Sequence, residues 1–145
     1  VVYSFNAFEH LPDPAETLRG IGRVLKPGGL CYILTGGLPW SAHGAHLYDA
    51  IGVPYASQLF DDATITSYIA QHGLRAQRPW FNTWSVEQYR AAFTAQQAVF
   101  DTLKYRELYN RYSVDLIAEF PEQFRRAPSF DSLVISAVEV LYRRK

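Results

Sequence analysis

The sequence is marked first by what it has little of. It contains one cysteine and no methionine, and its 14 Lys and Arg residues balance its 14 Asp and Glu residues. Balanced charge predicts no nucleic-acid partner, because binding to a phosphate backbone depends on a cationic surface. A lone cysteine excludes an internal disulfide framework and favours a reducing, cytoplasmic setting. No apolar run approaches the roughly 18 residues of a membrane span, so no membrane partner is predicted.

The missing methionine also bears on the completeness of the chain. No translation start lies within the 145 residues, and the opening VVYSF has the β-branched and aromatic composition of a buried parallel strand. We therefore expect a fragment, or a chain that has lost its front. The edge of such a strand would pair with a second copy in a homodimer or with a missing N-terminal half, since proteins avoid unpaired strand edges.

The clearest pattern that is present is strand, helix, strand over the first 35 residues. Asp13 is predicted to cap a helix that begins at Pro14, with Glu16 in the capping-box position. KPGG at 26–29 ends this helix, because proline cannot continue it and glycine supplies a positive φ. LCYILT at 30–35 then forms a second buried strand. A short strand–helix–strand unit predicts a right-handed crossover and a parallel sheet.

The remaining chain contains signals for more helices and two more strands. Caps and apolar spacing predict helices over 61–72, 85–97 and 114–126, the last interrupted by Pro121. Strands are predicted at 99–108 and 132–144. The predicted fold class is therefore α/β: about four strands, three parallel and the last antiparallel, flanked by helices.

The first 35 residues resemble a known family. VVYSFNAFEHLPDPAETLRGIGRVLKPGGLCYILT is similar to the C-terminal half of class I S-adenosylmethionine-dependent methyltransferases, which have a Rossmann-like sheet. The pair Glu9–His10 matches the one that ends the family's fourth strand, and R-x-L-K-P-G-G at 23–29 matches the turn before its fifth. By this resemblance, 132–144 is the antiparallel seventh strand, and residues 1–145 are a single partial methyltransferase domain.

The resemblance implies a methyltransferase that uses S-adenosylmethionine and a small-molecule acceptor. It places Phe5, Asn6 and Ala7 against the methionine part of the cofactor, and Glu9 and His10 near the methyl-transfer cleft. The family's glycine-rich cofactor loop, G-x-G-x-G, does not occur in the sequence. We therefore expect the parent protein to be an enzyme and the isolated chain to be inactive, with weak or no cofactor binding.

Three residues are candidates for acid–base chemistry: His10, Glu9 and His46. A general base helps methyl transfer when the acceptor must lose a proton, and an unperturbed histidine titrates near neutrality, which favours His10. The alternative is that Glu9 and His10 only shape the strand end by hydrogen bonding. His43 and His46, together with His10 and Asp49, could suggest a metal site, but they match no standard zinc signature, so no metal site is predicted.

A long segment at 38–84, part loop and part helix, is predicted to form a lid over the acceptor. Its candidates for acceptor binding are polar or aromatic: Trp40, His43, Tyr55, Trp80, Asn82 and Trp84. The aromatic residues would either stack on an apolar acceptor or pack beneath the loop. Asn82 would either bind a polar group or form an Asx turn.

Two other functions stay open on sequence alone. One is a non-catalytic binding or partner module that uses the aromatic loop without a cofactor. The other is the nucleotide-binding half of a dehydrogenase, which the absent glycine fingerprint disfavours. No residue distinguishes methylation of oxygen, nitrogen or carbon.

Overall fold

The structure, a computed structural model, describes residues 1–75 and 80–145. Its centre is a four-stranded sheet in the order β1-β2-β4-β3. The strands are β1 (Val2–Phe5), β2 (Leu30–Gly36), β3 (Phe100–Tyr109) and β4 (Ile135–Arg144). Strands β1 and β2 are parallel, and β4 is antiparallel to both of its neighbours. Strands β1, β2 and β3 thus run in one direction and the last strand in the other, which confirms the predicted fold class.

The order of the strands follows from their composition. Strand β4 is mostly apolar and mostly buried, as a central strand should be. Strand β3 carries many charged residues and is mostly exposed, so it lies at the edge of the sheet. Its register with β4 shifts between Thr102 and Lys104 and again between Leu108 and Tyr109.

Seven α-helices are present in the described residues. They are α1 (Pro14–Val24), α2 (Tyr48–Ile51), α3 (Ala56–Leu59), α4 (Asp62–Gln71), α5 (Val86–Thr94), α6 (Val114–Glu119) and α7 (Phe130–Val134). Short 3₁₀ turns lie at Phe8–His10, Gly44–His46, Ala95–Ala98 and Pro121–Phe124. Among residues 1–75 and 80–145, none of these helices has the length and apolar character needed to cross a bilayer.

The helix caps agree with the sequence in all but one detail. Asp13 accepts a hydrogen bond from the Glu16 amide at 2.9 Å. The Glu16 carboxylate does not complete a capping box, because it is paired with Arg19 and Arg23. Helix α5 does have a complete capping box, in which Ser85 and Gln88 bond each other's backbone.

The closing strand is predicted to span 132–144, and this predicted start lies three residues before the start in the structure. The Ser129 hydroxyl accepts a hydrogen bond from the Ser132 amide at 3.0 Å and caps helix α7. Residues 132–134 are therefore helical, and the strand begins at Ile135. Apolar, β-branched residues fit either structure, so the local cap decides between them.

The main hydrophobic core covers one face of the sheet. It joins Leu18 of α1 and the buried side of α5 to inward-facing strand residues, among them Cys31, Ile33, Val138, Val140 and Tyr142. Burial raises the pKa of the Cys31 thiol to about 11, in keeping with a small core residue. On the opposite face of β1, Tyr3 is 72% exposed and Phe5 is 56% exposed.

Two glycines of α1 provide a matched test of its packing. Replacing a glycine inside a helix by alanine stabilises it by roughly 0.5–1 kcal/mol when there is room. A Cβ at Gly20 would lie 3.6 Å from Arg23 Nη2, an ordinary contact, whereas a Cβ at Gly22 would lie 2.9 Å from Val99 Cγ1. We expect Gly20→Ala to raise the free energy of unfolding measured in urea. The free energy of unfolding of Gly22→Ala should be lower than that of Gly20→Ala by at least about 1 kcal/mol. Equal gains from the two changes would contradict this packing.

Candidate functional site

The candidate site lies where β1 and β2 end side by side. The 3₁₀ turn Phe8–His10 follows β1, and the segment with His46 follows β2. Asn6 leaves β1 with a left-handed backbone (φ 47°), and its amide donates to the Leu34 carbonyl at 2.8 Å. A Cβ on Gly36 would lie 2.9 Å from Asn6 Oδ1, so a larger residue there would displace the Asn6 side chain. In open α/β sheets, ligands bind at this edge.

Glu9 is the most deeply buried charged residue of the site, with no exposed surface. Its Oε2 accepts a hydrogen bond from Thr35 Oγ1 at 2.8 Å. Its Oε1 has no hydrogen-bond partner within the described part of the chain, and it lies 3.8 Å from His10 Nε2. One carboxylate oxygen is thus held in place and the other points towards His10.

His10 is held by a backbone contact from the predicted lid. Its Nδ1 lies 2.8 Å from the Trp80 carbonyl oxygen. Because a carbonyl can only accept, Nδ1 must carry the hydrogen and donate it. In the neutral ring, Nε2 is then the acceptor, and this is the nitrogen nearest Glu9.

His46 completes the cluster from the loop after β2. Its ring stacks on that of His10 with centroids 5.5 Å apart, and Phe81 contacts both rings at 4.7 and 5.2 Å. One potential ligand atom from each of Glu9, His10 and His46 lies within 4.8 Å of the others. The structure therefore brings together all three residues that the sequence analysis selected for acid–base chemistry.

Asn82, a candidate for acceptor binding, is buried and holds the turn that follows β1 in place by hydrogen bonds. Its Nδ2 donates to the carbonyls of Phe8 (2.7 Å) and Leu11 (2.9 Å). Its Oδ1 accepts from Tyr89 Oη at 3.0 Å and from the Trp84 amide at 3.3 Å. The last contact is an Asx turn, the alternative considered from the sequence. Burial raises the pKa of Tyr89 to about 12, so this phenol acts as a donor.

The other acceptor-binding candidates are spread over several environments. Tyr55 is 1% exposed; its hydroxyl donates to the Leu133 carbonyl and its ring packs edge-on against Phe124, so it offers a ligand no surface. Trp40 donates to the Thr83 carbonyl at 3.3 Å. Trp84 packs against Tyr89 in the core, whereas Trp80 has an exposed side chain.

His43 belongs to a second depression. Its ring packs on Tyr48 at 4.1 Å, and its Nδ1 lies 3.2 Å from Asn110 Nδ2. It borders an open hollow of about 640 Å³ whose other walls are Tyr109, Asn110, Arg111, Tyr112 and Ser136. The three-residue cluster is not part of this lining.

Sequence reasoning missed Thr35 as part of the site. Thr35 had a usable signal, because it is a polar residue near the carboxyl end of an otherwise apolar buried strand. Phe81 is one of the aromatic residues weighed as acceptor contacts, and no signal separated it from its aromatic neighbours. Residues 76–79 of the predicted lid, including Arg78 and Pro79 at the start of the aromatic bridge RPWFNTW, lie outside the described residues.

Comparison with known proteins links the site to one family. The family model described as "Methyltransferase domain" matches residues 1–33. Ubiquinone biosynthesis O-methyltransferases of Pseudomonas paraeruginosa (strain PA7) and Pseudomonas aeruginosa (strain PAO1) are each 36% identical over 64 residues, covering 44% of this chain. The match spans about a quarter, 26%, of these curated relatives' length.

Solved structures give weaker likenesses over 98% of the chain. They include an S-adenosylmethionine-dependent methyltransferase from Mesorhizobium loti (TM-score 0.43, 17% identity, 60% of that chain). They also include a putative sarcosine dimethylglycine methyltransferase from Galdieria sulphuraria (TM-score 0.43, 18% identity, 51% of that chain).

Asn82 offers a test of how the site is held. Asn82→Ala removes a donor from the Phe8 and Leu11 carbonyls and an acceptor from the buried Tyr89 phenol, at roughly 1–3 kcal/mol for each buried group left unsatisfied. We expect the free energy of unfolding to fall by about 2–4 kcal/mol in a urea titration followed by circular dichroism. The control is Asn110→Ala, a half-buried amide near solvent, for which we expect a loss below about 1 kcal/mol. Equal losses would mean that Asn82 has no special role in holding the turn.

Proposed function

We infer, from the match of residues 1–33 to a methyltransferase domain model, that the protein belongs to the class I methyltransferases and transfers a methyl group from S-adenosylmethionine to a small-molecule acceptor. The observation that carries the proposal is the place of Glu9 and His10. They lie in the family-matched segment, at the strand edge where α/β proteins bind ligands. His46 reaches the same point from the neighbouring strand.

The cofactor side of the proposal rests on residues 5–7. Phe5, Asn6 and Ala7 are exposed at the carboxyl end of β1, and Asn6 turns the backbone there. They fit one side of a bound cofactor, its methionine part. The glycine-rich loop that would hold the nucleotide part does not occur in this sequence. We therefore propose that tight cofactor binding needs a further polypeptide segment.

When bound, the cofactor supplies an electrophilic methyl group on a sulfonium. This chain's own residues would orient the acceptor and remove its proton. His10 Nε2 is suited to accept that proton, because Nδ1 is already committed to the Trp80 carbonyl. The Glu9 carboxylate, 3.8 Å away, would stabilise the resulting imidazolium. Phe81 and His46 would shield the proton transfer from water, and segment 38–84 would close over the acceptor.

The free edge of β1 supports the need for a partner. Within the described residues, β1 pairs with β2 alone, and Tyr3 and Phe5 expose large apolar surfaces. We propose that an N-terminal half covers this edge, with a homodimer as the alternative. The lone Cys31 also favours a reducing, cytoplasmic location.

A non-catalytic binding module is the second candidate function. The hollow beside His43 favours it, because that hollow has aromatic and cationic walls and is separate from the Glu9 cluster. A ligand there would need no cofactor. The two candidates predict different footprints on the chain.

Those footprints can be read by nuclear magnetic resonance. We expect amide signals of Phe5, Asn6 and Ala7 to shift when S-adenosylmethionine is added to the 145-residue chain, with weak affinity. Adenosine, which lacks the methionine part, is the control and should leave these three signals in place. Micromolar affinity by calorimetry would contradict the expected weak binding, and the absence of shifts at millimolar cofactor would contradict the assignment of residues 5–7.

Catalysis needs a longer polypeptide that includes the N-terminal half. We expect it to move a labelled methyl group from S-adenosylmethionine to a member of a panel of phenols, amines and carbon acids. His10→Gln should lower the rate by roughly 10²–10⁴-fold, the usual contribution of a general base. His72→Gln, on the exposed end of α4, is the control and should act like wild type. Equal rates for both variants would remove His10 from the mechanism.

A further inference from the structure

The charge of the buried Glu9 carboxylate is not fully compensated by the described residues. Its Oε1 is fully buried and has no hydrogen-bond partner in residues 1–75 and 80–145. A buried carboxylate oxygen is costly unless something positive or a donor satisfies it. Thr35 satisfies only the other oxygen. The site is therefore incomplete within the part of the chain that the structure describes.

The orientation of His10 limits which kind of group can satisfy Glu9 Oε1. With Nδ1 donating to the Trp80 carbonyl, the lone pair of Nε2 is left on the side of Glu9 Oε1, 3.8 Å away. A lone pair and an anionic oxygen repel each other unless a positive charge lies between them. An imidazole whose second nitrogen donates to a backbone carbonyl is also the usual arrangement of a metal-ligating histidine.

His46 supplies the third group. Its backbone adopts a left-handed conformation (φ 52°), which L-residues other than glycine seldom take. This conformation places the imidazole beside His10, although the two residues follow different strands. Glu9, His10 and His46 thus offer two imidazoles and one carboxylate within 4.8 Å of one another.

We propose that Glu9, His10 and His46 bind a divalent transition cation of the zinc type. With bonds of about 2.0–2.2 Å, ligand atoms around a tetrahedral zinc lie roughly 3.4 Å apart, so a movement of about 1 Å closes the site. Half-buried His46 can make that movement. Two imidazoles favour zinc, cobalt or nickel over magnesium or calcium. Three protein ligands leave one position open, as in catalytic zinc sites.

This site differs from the one that the sequence analysis set aside. That judgement weighed His43 and His46 with His10 and Asp49, and found no standard signature. The structure replaces His43 and Asp49 by Glu9, which is 37 residues from His46 in the sequence. No sequence signature describes such a separation.

The test uses the metal-free 145-residue chain and Co²⁺ as a coloured probe for zinc. We expect one Co²⁺ per chain, with visible absorption that equimolar Zn²⁺ abolishes and millimolar Mg²⁺ does not. His46→Gln and Glu9→Gln should each weaken Co²⁺ binding by more than about 100-fold, since even indirect contacts to a metal are worth 10–100-fold. His72→Gln, the matched control on α4, should bind like wild type.

Three results would overturn the proposal: no stoichiometric Co²⁺ binding, binding that His46→Gln leaves intact, or binding that His72→Gln removes. The first would mean that a proton rather than a metal lies between Glu9 and His10. Thermal unfolding of the metal-free variants checks that they fold, and His46→Gln alone decides the question if Glu9→Gln does not fold. The assay contains no methyl donor, so it is read separately from the proposed function, in which His10 Nε2 accepts a proton only while no cation occupies that nitrogen.

Discussion

The burial of the Glu9 carboxylate is the constraint on which the site depends. A charge without solvent must be compensated by its surroundings, and three separate segments meet around Glu9. Thr35 at the end of β2 donates to one oxygen, and His10 lies beside the other. The Asn82 amide donates to the Glu9 carbonyl at 2.8 Å. The ends of β1 and β2 and the segment before α5 are thereby tied to one another.

The same contacts couple the site to the hydrophobic core. Tyr89 is part of the main core cluster, and its hydroxyl donates to Asn82, which in turn holds the turn that carries His10. A change in the packing of α5 would therefore alter the position of the His10 imidazole, which is several hydrogen bonds away. A chain of buried hydrogen bonds with every member satisfied gives a single geometry, which a reactive or ligand-binding cluster requires.

A second buried carboxylate sets the pairing of the outer strands. Glu139 lies in the middle of apolar β4, and Lys104 Nζ (2.7 Å) and Arg106 Nη2 (2.8 Å) reach it from β3. The Lys104 ammonium, with help from the Tyr32 hydroxyl and Arg106, holds the pKa of Glu139 below its usual value. A slip of one residue would turn Lys104 and Arg106 to the other face. The ion pairs thus favour the observed register of the edge strand.

The sequence by itself determined the local parts of this protein. The caps at Asp13 and Ser85, the turn at Gly28 (φ 76°) and the apolar strands each depend on neighbours within a few residues, so the α/β class could be derived from them. Only the tertiary structure decided which distant residues meet. The contact of His10 with Trp80 spans 70 residues, and nothing in the local pattern separated Asn82 as a support from Asn82 as a ligand. Helix α7 was missed because its apolar residues suit a strand equally well. Such contacts depend on how distant segments pack around the sheet, and a short segment of sequence does not determine that packing.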